Sequence, residues 1–443
     1  MVVAFALRVA WAAYAEFAPT LSDDAGRYQF LGQALADGRG FINPNGNETM
    51  FWPPGYPFML AALYKLWPAG AFGQHEVTLA LVLNAALGAL TCALVYAIAR
   101  RAFPEPVALV GAAVTAVFPS LVFFANVTLT EVPYTFLALL GLLLIVESQA
   151  RDRWWLLVPA GLIIGFAALV RGQALLLPLV AGPFWLVATR DLRASVARVA
   201  GVGALSLLVV APWTARNYAE SGSLVLLSSN AGVDFYISHS EGADGRGRKV
   251  DELVFRYPEL PPMEAEARVN RDGFEEGIEW AVRHPLDEIE LAARKLFYLY
   301  YRDDEGVRWT DAHGERDVFS SGGERSLWVW VSNGFYWVVM AVAVAGVTLA
   351  IRGRQTTDNR QQSVVEGQRA ESKEQRRAGL AVQVLLVSVV AYWTLVHVAF
   401  FGDPRFHAPV MPVVGVFAGV AVIYATDLVA RLTDERHRAR FSQ

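Results

Sequence analysis

Apolar runs without charge recur along the chain and set its architecture. Residues 107–126, 154–170 and 406–426 contain no Asp, Glu, Lys or Arg. A hydrocarbon core of ~30 Å takes about 20 such residues to cross. The pattern predicts ten membrane-spanning helices, near residues 1–18, 76–99, 107–125, 127–148, 154–170, 173–189, 195–214, 327–351, 378–401 and 406–429. Residues 55–67 are also apolar, but they include Lys65 and are bracketed by Pro53, Pro54 and Pro68. That length suits an interfacial or re-entrant helix better than a span.

Basic residues orient the bundle, because cytoplasmic loops carry the excess of Lys and Arg. If 55–67 does not cross and the N-terminus is cytoplasmic, the cytoplasmic loops hold Arg100 and Arg101, Arg151 and Arg153, and Arg190, Arg193 and Arg198. They also hold seven Lys/Arg in 352–377 and Arg431, Arg436, Arg438 and Arg440 at the end. If 55–67 crossed, all of these would move outside. The expectation is a multi-pass protein of the cell (inner) membrane with both termini cytoplasmic. Ala13-Tyr14-Ala15 would pass for a signal-peptidase site, yet no basic stretch precedes it and Arg8 interrupts the apolar run. The first segment is read as an uncleaved span, with Arg8 facing the bundle or snorkelling.

Composition agrees. Of 443 residues, 54% are hydrophobic and 18% charged, against about 25% charged in soluble domains. Mean hydropathy is +0.34. A soluble globular protein, a disordered chain and a coiled coil are excluded. The single cysteine, Cys92, rules out an intrachain disulfide and a cysteine metal cluster, and a packing role is expected for it.

The expected organisation is as follows. Residues 1–214 form an N-terminal transmembrane module with an outer loop at 19–75. Residues 215–326 form an extracytoplasmic segment of mixed structure, with 14 Lys/Arg and 23 Asp/Glu. Residues 327–430 supply the C-terminal spans, interrupted by a polar cytoplasmic linker at 352–377 that reads as disordered. Residues 431–443 form a basic tail. Within the outer segment, 263–284 and 285–303 read as helices, since Pro285 suits a first turn and Ile289, Leu291, Leu296 and Leu299 share a face.

In this topology the notable polar residues at span ends gather outside: Asp23, Asp24, Glu131, Arg171, Arg216, Asn217, Asp403 and Arg405. Convergence opposite the basic loops suggests one outward-facing site. Ser22-Asp23-Asp24 predicts the start of a helix that runs to about Ala36 and ends at Gly38 or Gly40. A carboxylate there is favoured in its ionised form, which suits a base or a metal ligand. Glu131 stands one turn inside the outer end of a span. Paired with Asp24, it would hold a divalent ion or divide acid and base roles. Arg171 and Arg405 are either snorkelling anchors or the guanidinium forks a lipid phosphate requires. Trp52 and Tyr56 are expected in the aromatic belt rather than as sugar-stacking platforms. No HExxH, Walker loop, GxGxxG, GxSxG or nucleic-acid patch occurs.

The ordered set of short motifs resembles the GT-C glycosyltransferases that use polyprenyl-phosphate sugars, including the protein O-mannosyltransferases and the lipid A aminoarabinose transferases. The set comprises Asp24-Ala25-Gly26-Arg27-Tyr28, Pro53-Pro54-Gly55-Tyr56-Pro57, Leu129-Thr130-Glu131-Val132-Pro133 and Leu169-Val170-Arg171-Gly172. It continues with Ala211-Pro212-Trp213-Thr214-Ala215-Arg216-Asn217-Tyr218, His284-Pro285 with Arg294-Lys295, and Arg405-Phe406. The resemblance implies an all-α GT-C-like bundle of about ten (9–11) spans. It implies Asp24 as the essential outer-loop carboxylate, with Asp23 the alternative by one position. Glu131 stands where the family often has Asp-Pro. Donor contacts fall to Arg171, Arg405, Arg27, Tyr28 and Arg216. A divalent cation (Mg or Mn) at Asp24 and Glu131 is an implied cofactor. The implied partners are a polyprenyl-phosphate sugar, an acceptor glycan, lipid or protein, and the bilayer, with no nucleic acid. Competing readings are a polysaccharide polymerase or ligase using lipid-diphosphate donors, and a secondary transporter or lipid flippase, which would place charges near span midpoints.

Overall fold

The computed structural model of the protein describes residues 1–67, 76–313, 318–319, 321–358 and 366–441. Among them every regular element is a helix, and one isolated β-bridge joins Ile42 to Glu48. The N-terminal half contains α1 (Val2–Ala15), α2 (Asp24–Ala36), α3 (Gly55–Leu66), α4 (Glu76–Ala99), α5 (Glu105–Val117) and α6 (Pro119–Phe123). It continues with α7 (Glu131–Ala150), α8 (Leu157–Val170), α9 (Leu177–Val180), α10 (Gly182–Thr189) and α11 (Leu192–Ser221). The outer segment contributes α12 (Asn230–Ser238), α13 (Asp251–Val254), α14 (Pro262–Arg283), α15 (Pro285–Tyr300) and α16 (Glu305–His313). Three long helices follow: α17 (Gly322–Asp358), α18 (Glu366–Ala399) and α19 (Met411–Phe441).

Seven helices are long and apolar enough to cross a membrane, and up to eight if the bent pair Glu105–Val117 and Pro119–Asn126 is one span. The bend of 57° follows from Pro119, which drives Phe118 out of the helical region to ψ 115. The shorter apolar helices Val2–Ala15 and Trp154–Val170 occupy the two remaining expected positions. The 12 residues of α3 are too few to cross.

Two expectations change. The segment 352–377 is not a disordered linker over its described part, because α17 runs on to Asp358 and α18 begins at Glu366. Its Gln, Glu, Arg, Lys and Ala residues are strong helix formers, and the spans on both sides supply nuclei from which helix propagates. Residues 359–365 lie outside the described residues. The basic tail likewise continues α19 as far as Phe441. Among its described residues the outer segment consists of helices joined by loops, and α14 and α15 fall where the sequence places them.

Spans pack through small residues, as expected where lipid removes the hydrophobic drive between helices. A Cβ added to Gly165 of α8 would lie 2.6 Å from the Ser206 carbonyl oxygen of α11. Ser206 Oγ in turn donates to Gly161 O at 3.0 Å. Cys92 of α4 is buried beside Ala4 and Ala89.

Two polar ties hold the outer parts over the bundle. Glu266 of α14 accepts from Thr49 Oγ1 and Met50 N, both at 2.7 Å, which pins the first outer loop. His239, the residue that ends α12, donates Nε2–H to Ala399 O at the end of α18 (2.8 Å), and its Nδ1 meets Glu288 of α15 at 2.6 Å. The short connection after Ala399 carries Arg405, so α12 and α15 fix where that guanidinium can sit.

Candidate functional site

A cavity of about 1550 Å³ opens between the first outer loop, the outer segment and the span ends. Asp24, Tyr28, Trp52, Arg171, Asp234 and Arg405 are among its lining residues. Four stretches far apart in sequence therefore build one wall.

At the rim, the Asp23-Asp24 pair divides its work. Asp23 is the N-cap of α2: its Oδ1 accepts from Gly26 N at 3.1 Å, and Thr20 Oγ1 donates to its Oδ2 at 2.9 Å. Asp24 is the first helical residue, and its side chain is 46% exposed toward the cavity. Its Oδ2 lies 3.6 Å from Arg405 Nη1.

At the floor, Glu131 opens α7 with its side chain only 2% exposed. Its Oε1 accepts from Arg171 Nη2 at 2.7 Å and lies 3.3 Å from Arg405 Nε. Arg171 Nε also donates to Thr130 Oγ1 at 2.7 Å. Arg171 is extended because α8 stops at Val170, where the Pro53-Pro54-Gly55 turn presses against the span end. A Cβ on Gly55 would meet the Leu169 carbonyl carbon and Val170 N at 2.6 Å. Arg405 follows α18 in a short 3-10 stretch, Pro404–Val410, capped by Asp403. The Phe406 ring lies under both guanidiniums, at 5.4 Å from Arg171 and 5.0 Å from Arg405. One buried carboxylate thus aligns two guanidinium forks, and the aromatic face restricts them further.

Of the residues expected at the site, Asp24, Tyr28, Arg171 and Arg405 line the cavity, and Glu131 sits beneath them. Burial pushes the Tyr28 phenol well above its ordinary range, so Tyr28 stays neutral and serves as a wall. Arg27 lies over the Trp52 ring at 5.6 Å and is not among the lining residues. Arg216 also lies off the cavity wall, donating to Thr49 O at 2.8 Å and facing Glu48 at 3.6 Å. It supports the first outer loop. The aromatic-belt expectation changes: Tyr56 is fully buried and donates to Asn84 Oδ1 at 3.2 Å, while Trp52 faces the cavity.

Sequence reasoning missed Asp234 of α12. Burial, reinforced by the Asp24 charge, raises its carboxyl to about 7, while Arg405 and Arg171 pull the other way. Asn230 Nδ2 donates to its Oδ2 at 3.3 Å. No motif surrounds it, and it stands among many acidic residues of the outer segment.

Among the described residues no group of three or more His, Cys, Asp or Glu side chains is placed to hold a metal ion. Glu131 Oε1 is taken by two guanidiniums, and the carboxylates lining the cavity are those of Asp24, Asp234, Glu264 and Glu275.

Comparisons with known proteins agree with this architecture. Residues 52–215 match the family described as dolichyl-phosphate-mannose-protein mannosyltransferase. No curated protein matches the chain. Its fold is similar to the archaeal oligosaccharyltransferase AglB from Archaeoglobus fulgidus in complex with an inhibitory peptide and a dolichol-phosphate. That likeness has a TM-score of 0.51 at 14% identity and covers 98% of this chain and 52% of AglB. A second AglB structure, with Zn and sulfate, aligns with TM-score 0.50 at 15% identity over 96% of this chain and 49% of AglB. ArnT from Cupriavidus metallidurans bound to undecaprenyl phosphate aligns at 14% identity over 94% of this chain and 76% of its own, with TM-score 0.44. The chain spans about half the length of AglB. The family match covers residues 52–215, and the AglB likeness shows that the chain shares the fold of about half of that protein.

Proposed function

We propose that the chain is a membrane glycosyltransferase that moves a sugar from a polyprenyl-phosphate donor to an acceptor hydroxyl on the extracytoplasmic face, inverting the anomeric centre. The carrying observation is the pair Arg171 and Arg405, aligned on buried Glu131 beneath a cavity with Asp24 at its rim.

The donor phosphate lies against the two guanidiniums, whose forks match phosphate oxygens. Asp24, in the first turn of α2 where the helix favours the anion, takes the proton from the acceptor hydroxyl. The hydroxyl oxygen bonds to C1 as the bond from C1 to the phosphate oxygen breaks. Polyprenyl phosphate leaves with the electron pair, and Arg171 and Arg405 neutralise the charge that gathers there. Such fixed charge is commonly the largest contribution to rate. Asp23 is spent on its cap, which favours Asp24 as the base. A divalent cation such as Mg or Mn would be held by Asp24 with Asp234, and would add positive charge at the phosphate.

In this reading residues 1–214, with the loop at 19–75, carry the donor side. The outer segment 215–326 covers the site and selects the acceptor. The C-terminal spans return Arg405 to the centre. The cavity faces outward from the cell (inner) membrane, with both termini on the cytoplasmic side, as the basic loops favour.

The test is transfer from radiolabelled polyprenyl-phosphate sugars into membrane extracts, comparing wild type with Asp24→Asn at equal expression. Label transferred by wild type alone supports the reading, and the labelled product identifies the acceptor. No transfer from a broad monophosphate donor panel by intact protein overturns it, and points to lipid-diphosphate donors or to transport.

A further inference from the structure

Helix α15 presents an apolar face that the rest of the chain leaves uncovered. Leu286 and Ile289 are 79% and 70% exposed, and Leu296 and Phe297 are exposed on the same face. Lys295, by contrast, is buried, with its Nζ 3.3 Å from His239 Nε2. The single apolar face expected from the sequence therefore divides: Leu291 and Leu299 pack into the protein, while Ile289 and Leu296 point away from it. A third face exposes Asp287, Glu290 and Arg294. A surface helix in water turns its apolar stripe to the core. Four large apolar side chains on one uncovered face mark contact with another apolar surface.

The neighbours of α15 identify that surface. At its end, the Tyr300 hydroxyl is hydrogen-bonded to the Thr394 hydroxyl of α18 at 2.7 Å. The apolar span within α18 ends at Ala399, so Thr394 lies about 7.5 Å inside that end at 1.5 Å per residue. Nearer its start, Glu288 meets His239, which holds Ala399 O. Both ends of α15 are thus tied to the outermost turns of a span. Tyr300 shares the face of Ile289 and Leu296, being eleven and four residues on. That face therefore leads onto α18 where Leu395, beside Thr394, is 67% exposed and faces lipid. Amphipathic helices at a membrane surface bury their apolar face about 5–10 Å into the boundary of headgroups and acyl chains, the depth at which α15 is anchored.

We propose that α15 lies in the leaflet that borders the outer segment, with Leu286, Ile289, Leu296 and Phe297 covered by lipid acyl chains and Asp287, Glu290 and Arg294 among the headgroups. The helix also braces the connection that carries Arg405. A Cβ on Gly402 would collide with Lys295 O, and His407 Nδ1–H donates to Leu299 O at 2.7 Å. Seating α15 in lipid therefore sets the depth of that connection too. The proposal concerns this surface alone and holds whether or not the chain transfers sugar.

The test places a fluorescent label on the full chain in lipid nanodiscs. Cys92 is the only cysteine, so a Cys92→Ala background allows one label at a time. Ile289→Cys and Phe297→Cys sample the apolar face, and Asp287→Cys and Arg294→Cys the polar one. Lipids with a nitroxide on the acyl chain should quench the first two labels severalfold more than the last two, and aqueous iodide should give the reverse order. Iodide quenching all four alike overturns the proposal. Labels at 289 and 297 shielded from iodide yet untouched by the nitroxide lipids also overturn it, and point to a second copy or a protein partner on this face. A measurement on wild type covers variants that fail to fold. A lipid with a photoreactive acyl chain is cross-linked in the nanodisc and its adducts are mapped by mass spectrometry. Adducts are expected on α15 between Leu286 and Phe297 as well as on α18. Adducts on α18 with none on α15 overturn the proposal.

Discussion

The rim and the floor of the cavity each present a carboxylate, and the two are built for opposite ends. Asp24 at the rim is half-exposed, begins an outer helix and has Arg405 at 3.6 Å. Glu131 at the floor is buried and gripped by two guanidiniums. An accessible carboxylate exchanges a proton with a ligand at little structural cost. A buried one in an ion-pair network cannot change charge without disturbing its partners. In the proposed function, reaction and organisation are thus separated between the two positions. The largest effect tests the rim. Asp24→Asn keeps the shape and removes the proposed base, so kcat should fall by about 10²–10⁴-fold, the range for a lost general base. Donor binding and melting temperature should stay at wild-type values, as read by donor titration and thermal unfolding. A variant with ordinary turnover would erase the distinction.

Glu131→Gln probes the floor and should fail differently. It leaves Arg171 and Arg405 without their shared counter-ion, and breaking a buried pair from one side costs about 3–5 kcal/mol. Turnover should fall by about 10²-fold, because the guanidiniums drift from the phosphate position. The sharpening measurement is unfolding beside kinetics. Loss of rate with loss of stability marks an organiser, and loss of rate at full stability would make Glu131 a second reacting group.

The two levels also differ in how legible they were in the sequence. The floor was readable because it is tied to the spans. Ends of apolar runs locate Glu131 and Arg171 at the ends of their helices. The spans were readable for the same reason. The helix at Asp24 was readable from its capping residues, whereas the division of labour between Asp23 and Asp24 turns on one hydrogen bond to Gly26 N. Side-chain direction was the common failure. Arg27 and Arg216 do not line the cavity and turn toward Trp52 and toward Thr49 O. Asp234 was invisible because nothing in a nine-residue helix within an acid-rich segment sets one carboxylate apart. The polar 352–377 stretch reads as unstructured by composition, yet its ends propagate from the spans on either side.

Asp234 offers a third, smaller test, since it adds a titrating group beside the rim. Its carboxyl is raised from 3.8 to about 7 by burial and by Asp24, with Arg405 and Arg171 opposing. Near neutral pH it therefore changes charge next to the proposed base. The pH profile of kcat/KM should show a limb near that value, and Asp234→Asn should remove the limb while changing the maximal rate only severalfold. The sign for stability follows from linkage. Between about 7 and 3.8 the folded protein binds a proton that the unfolded chain does not, so stability from this group rises as pH falls through that window. Melting temperatures of wild type and Asp234→Asn should diverge there, with wild type gaining on acidification. Parallel curves would place the titration elsewhere.

The smallest effect concerns Asp23, one residue from the centre of the comparison. Its carboxylate caps α2 and does not reach into the cavity as a lining group. Asp23→Ala should cost about 1 kcal/mol of stability, the usual worth of a cap, and leave kcat within about twofold. Asp23→Asn should be nearly silent in both measurements, because an amide oxygen caps as well as a carboxylate does. These two variants separate capping from charge. If Asp23→Asn melts like wild type and still abolishes transfer, the base is Asp23. The rim would then combine in one side chain the structural and chemical work that the geometry divides between two.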